Sequence, residues 1–143
     1  MKSIAVVVEE GHNPDWSLGH VVTLYRQSPM RIHLVNVRQP LPSYVTRFIP
    51  RQEVRAYHQE NGLKAMQAIM KRLDDLGIAH RDHVLVGNKA ETILEFAREY
   101  ACSEIIVAKR SEGLLAELGL GSVASQLRHL LGADASCKVA EVG

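Results

Sequence analysis

Five short apolar runs, each followed or preceded by a longer stretch of helical periodicity, constrain this chain more than any other feature. Ile4 to Val8, Arg31 to Val37, His80 to Val86, Glu104 to Ala108 and Lys138 to Val142 each have strand length. The fourth, Glu104-Ile105-Ile106-Val107-Ala108, is β-branched and almost wholly apolar, which suits a strand covered on both faces. Five strands alternating with helices imply parallel strands joined by right-handed crossovers. The predicted fold is therefore α/β, a doubly wound five-stranded parallel sheet in order 3-2-1-4-5 with helices on both faces. In such a sheet the ligand crevice lies beyond the strand carboxyl ends, where the winding reverses. That order puts the reversal between strands 1 and 4, and brings the turns after strands 1, 2 and 4 to one rim.

The helices announce themselves through caps and stripes. Asn13-Pro14-Asp15 reads as a helix entry before Leu18, Val21, Val22 and Tyr25, and Ser28-Pro29 stops that helix. Arg38 to Arg51 holds Pro40, Pro42 and Pro50 without a period and is predicted to be one long loop. A long helix is predicted from about Glu53 to Leu76, with Leu63, Met66, Met70 and Leu73 on one face and Gly77 as its stop. Asn61-Gly62 is its weak point, costing about 1 kcal/mol relative to Ala. Asn88 with Glu91 resembles a capping box before Ile93, Leu94, Ala97 and Tyr100. After strand 4 comes a connection from Lys109 to Leu120. Gly121-Ser122 then opens a helix carrying Val123, Leu127, Leu130 and Leu131, with Ser122 as N-cap. The start of that helix is where a phosphate would be favoured, because unpaired N–H groups and the macrodipole attract negative charge there.

Bulk properties narrow the function classes. At 143 residues, 46% hydrophobic and 23% charged, the chain reads as one domain, residues 1–143. A net charge of +1, with cations spread among similar numbers of carboxylates, argues against a nucleic-acid or membrane-surface binder. No apolar run approaches the roughly 20 residues that span a bilayer. The start, MKSIAVVVEEGH, turns acidic too soon for a signal peptide, so a cytoplasmic address is expected. Cys102 and Cys137 show no CxxC spacing and read as buried, unreactive thiols.

Catalytic and metal-binding patterns are weak. Residues 11–20, GHNPDWSLGH, have the length and terminal Gly-His of the loop with which nucleotidyl transferases grip a nucleotide. Ser17 stands where that pattern has its first catalytic His, and no later Ser/Thr-Lys/Arg signature follows. His80 and His83 are three apart on a predicted strand and so face opposite ways, a poor geometry for one metal. All seven histidines read as lone surface or capped residues. Met66 and Met70 read as core filler. No Ser-His-Asp spacing or acidic pair assigns a reaction, and no enzyme activity is expected.

Taken together, IAVVVEEG, HLVNV, VGNKAETILEFAREYACSEIIVAK and LGLGSVASQLRHLL resemble the universal stress proteins over nearly the whole chain. The resemblance implies a compact α/β fold, a homodimer, a role under stress, and either an ATP-binding branch or one that binds no nucleotide. ATP-binding members carry Gly, two residues, Gly, nine residues, then Gly-Ser or Gly-Thr. Aligned on Gly121-Ser122, the first two glycines fall at Ala108 and Ser111, so only the last pair is kept. Ala and Ser tolerate a positive φ and close backbone approach less well than Gly. Glu9 stands where the ATP-binding members have Asp at the ribose. By the same resemblance, ATP would lie against Gly121, Ser122 and Val123 with its adenine near Val37.

Two readings follow. In the first, the chain is a non-catalytic homodimeric stress-response module. In the second it is a nucleotide-binding switch with ATP as cofactor; a nucleotidyl transferase is a distant third. The last strand bears on partners, because in the family it commonly pairs with its copy in a second subunit. Val139, Ala140 and Val142 give it apolar content, and Lys138 and Glu141 are charges compatible with an exposed edge.

Overall fold

Alternation along β1 (Ser3–Val7) divides the protein into its two cores. All five residues of β1 are buried, and successive side chains of a strand point to opposite faces. Ala5 and Val7 face one layer with Val35, Ile105 and Val107. Ile4 and Val6 face the other with Ile32, Leu34 and Ile106. The computed structural model describes residues 1–11, 13–109 and 122–142.

Around β1 lie β2 (Arg31–Arg38), β3 (Arg81–Val86), β4 (Cys102–Ala108) and β5 (Lys138–Val142). The strand order is 3-2-1-4-5, and every pairing is parallel. The helices are α1 (Pro14–Gln27), α2 (Ser43–Thr46), α3 (Arg51–Asp75), α4 (Lys89–Glu99) and α5 (Val123–Leu131). Leu18 and Val21 of α1 and Met66, Ile69 and Leu73 of α3 cover the Ile4 face. Ile93, Leu94, Phe96 and Ala97 of α4 and Ala124, Leu127 and Leu131 of α5 cover the Ala5 face. Each wholly buried Ile, Leu or Met contributes about 1.5–3 kcal/mol of transfer free energy. The doubly wound α/β fold expected from the sequence is the fold observed.

Local chemistry starts three helices as expected. Asn13 Oδ1 accepts from Asp15 N at 3.0 Å, Asn88 Oδ1 from Glu91 N at 3.4 Å, and Ser122 Oγ from Ser125 N at 3.1 Å. Each bond satisfies a first-turn amide that has no partner within its helix.

Several boundaries differ from the sequence reading. The segment expected to be loop from Arg38 to Arg51 contains α2, four residues wedged between Pro42 and Pro50. Helix α3 begins at Arg51, two residues before the expected start, because Pro50 is pre-set for its N-cap position. Strand β1 ends at Val7 and β3 begins at Arg81, which leaves Val8 and His80 outside the strands. Gly62, expected to be a weak point, is buried in α3 with Val84 of β3 pressed against it.

Candidate functional site

The winding reverses between β1 and β4, and a small cavity of about 20 Å³ opens there beyond their carboxyl ends. Its walls include Glu9, Ala108, Ser122 and Val123, four of the residues expected at the site. The first turn of α5 thus stands at this rim, with Ser122 as its cap. Val37 does not line the cavity. It lies in β2 opposite Leu85 of β3 and packs on the α4 side of the sheet. Ser111 and Gly121 lie outside the described residues.

Two further residues define the site's electrostatics. Lys89, the first residue of α4, makes an ion pair through Nζ with Glu9 Oε1. Glu141 of β5 also lines the cavity, and its Oε1 accepts from Arg128 Nη1 at 2.7 Å. Arg128 Nη2 donates in addition to the Val139 carbonyl at 3.2 Å. The two wall carboxylates are therefore each joined to a cation. Neither pairing has a local sequence signal: Glu9 and Lys89 are 80 residues apart and meet only because β1 and α4 converge at the rim.

The turn after β1 is pinned from the side of β2. Val8 N donates to the Val35 carbonyl at 2.9 Å, and Asn36 Nδ2 donates to the Val8 carbonyl at 2.7 Å. Arg38 Nη1 reaches Glu10 Oε1 at 2.6 Å. These bonds hold Glu9 in place beside α4 without using its carboxylate.

The histidines depart from the expected lone residues. His33 Nδ1 and His83 Nε2 are 3.0 Å apart, enclosed by Phe96 and Tyr100. Burial holds both below the usual histidine range, and for His33 the nearby His83 and Arg81 add to it. His80 points the other way, its ring bridging Asp82 Oδ1 at 2.6 Å and Asp74 Oδ1 at 2.7 Å. Burial opposes its charge, yet the two carboxylates prevail and raise its pKa. Among the described residues no group of three or more His, Cys, Asp or Glu is arranged to hold a metal.

Cys102 and Cys137 are both buried and free, and burial pushes the Cys102 thiol up to about 11. Ser17, the position that the nucleotidyl transferase pattern would give to a catalytic His, is buried within α1. Among the described residues no helix is long and apolar enough to cross a membrane.

Comparison with known proteins agrees with this architecture. A universal stress protein from Archaeoglobus fulgidus superposes with a TM-score of 0.67 at 20% identity, over 100% of this chain and 99% of that one. The Archaeoglobus fulgidus universal stress protein in complex with dAMP gives 0.62 at 18% identity, over 100% and 98%. A universal stress protein family member from Arabidopsis thaliana with AMP bound gives 0.62 at 14%, over 100% and 93%. No curated protein matches the chain. The universal stress protein family model matches residues 1–135. With nearly its whole length matched and the sheet order in agreement, this chain belongs to the universal stress protein family.

Proposed function

We propose that this chain is a single-domain, non-catalytic stress-response module of the cytoplasm that works as a homodimer through β5, not through turnover of ATP. The carrying observation is the pair of carboxylates, Glu9 and Glu141, in the wall of the switch-point cavity. A polyphosphate entering there meets carboxylates that Lys89 and Arg128 already neutralise, so among the described wall residues and their partners no cation is left over for it. Ala108 adds to this, since its Cβ stands where a nucleotide-binding loop has bare glycine backbone. For the dimer, the support is β5 itself. It is an edge strand of the sheet, with no strand on its outer side among the described residues, and Val139, Ala140 and Val142 are only partly buried. Sedimentation at micromolar concentration tests the dimer: twice the 15.9 kDa chain mass is expected, and a monomer mass overturns it.

A second reading, the nucleotide-binding switch, draws on one specific observation. Glu9, Ala108, Ser122 and Val123 share one cavity at a helix start, the setting that favours anions, and the two relatives above hold dAMP and AMP. Calorimetric titration with Mg-ATP separates the readings. Absence of heat at millimolar nucleotide supports the non-nucleotide module, and saturable heat that increases for Glu9→Asp supports the switch.

A further inference from the structure

We propose that the cavity between residues 40–49 and the first turns of α3 binds a small amphipathic anion, an aliphatic chain ending in a carboxylate. It shares no wall residue with the switch-point cavity and so does not depend on whether nucleotide binds there. Its volume is about 470 Å³, within the range of small-molecule sites. One part of the wall is apolar, formed by Leu41, Ile49, Val54 and Val86. Another is polar, with the cations of Arg51 and Arg55 beside the imidazole of His58. No wall residue carries a carboxylate.

Three observations point to a ligand with a negative end. Neither Arg51 nor Arg55 makes an ion pair among the described residues, although guanidinium forks favour carboxylate partners. His58 is 5% exposed, and among the described residues its buried Nδ1 has no hydrogen-bond partner, a cost that a polar group reaching it would relieve. The N-terminus of α3, a 25-residue helix, has no side-chain cap at Pro50, so its positive dipole end adds to the same field. An apolar body is favoured by the rest of the wall and by the segment around it. In that segment Tyr44 and Phe48 are 74% and 87% exposed, and Arg47 stands 5.5 Å from the centre of the Phe48 ring. A purely polar anion would use the arginines and waste the apolar wall, and a neutral hydrocarbon would do the reverse.

Full-length protein titrated with octanoate, octylammonium and octanol, followed by methyl NMR, tests the assignment. Octanoate is expected to shift the Ile49, Val54 and Val86 methyls saturably, and octylammonium is expected to leave them unmoved. The Arg51→Glu/Arg55→Glu variant, altered only at exposed positions, should weaken octanoate by at least about tenfold with an unchanged thermal melt. Equal binding of the three probes, no shift at millimolar octanoate, or capture by anionic vesicles without binding of free octanoate would each overturn it. Should the double variant misfold, the discrimination between octanoate and octylammonium by the unmodified chain still decides.

Discussion

Gly62 of α3 and Val84 of β3 meet so closely that a Cβ on Gly62 would lie 2.5 Å from both γ-methyls of Val84. No real contact is that short, and Val84 cannot swing away, because a β-branched side chain in a strand is stiff at χ1. Replacing Gly62 by Ala should gain about 1 kcal/mol of helix propensity and lose about 1–3 kcal/mol to overpacking. A net loss of stability in urea unfolding is expected. In the double variant with Val84→Ala the two γ-methyl clashes are gone and only a 3.0 Å approach to the Cβ at position 84 is left, so most of the overpacking should be relieved and the two substitutions will not add.

The histidines predict opposing pH effects. His80 has a raised pKa in the folded state, so its stabilisation is fully present below its unfolded value near 6.5 and fades as pH rises through the folded value. His33, His83 and His58 are lowered, so their neutral forms give stability that is full above about 6.5 and erodes on acidification. His80→Ala should therefore cost about 1–3 kcal/mol near pH 6 and less near pH 8. Urea midpoints measured across that range check the sign.

The Glu9–Lys89 pair joins the turn after β1 to the start of α4. Both side chains are partly solvated, with 20% and 37% exposed, so Lys89→Met should change stability by no more than about 1 kcal/mol. High salt should narrow the difference further. A larger loss in thermal unfolding would mean that the pair organises the rim beyond its own attraction.

Cys102 should be inert in the native protein. With a thiol pKa of about 11, only about one molecule in a thousand is thiolate at pH 8, and the thiolate is the nucleophile. Treatment with a thiol reagent should label neither cysteine until denaturant is added. Labelling at the rate of an exposed thiol would show that β4 opens locally.

What was legible in the sequence follows from the range of each interaction. β1 and β4 were read from their β-branched runs because burial on both faces leaves a purely local signature. The caps at Asn13, Asn88 and Ser122 were equally local, each acting within three residues. Helix α2 was missed because Ser43–Thr46 is one turn, too short for a period, and Pro40 and Pro42 read as loop. Of the site, Glu9, Ala108, Ser122 and Val123 share one cavity wall, whereas Val37, on the same face of the sheet, lies opposite Leu85 and outside that wall. Lys89 and Glu141 left no trace in spacing, and neither did the pairing of His33 with His83, 50 residues apart. Such contacts exist only after the strands are in register.

Placing β1 between β2 and β4 also has a consequence for biosynthesis. Its partner on one side follows within about thirty residues of chain, at Arg31–Arg38, but the partner on the other side is Cys102–Ala108. Until the ribosome has extruded that later strand, a nascent chain carries an apolar ribbon with one bare flank, open to chaperones or to mispairing. Pauses in translation before Cys102 should therefore be far more damaging to yield than pauses after Ala108.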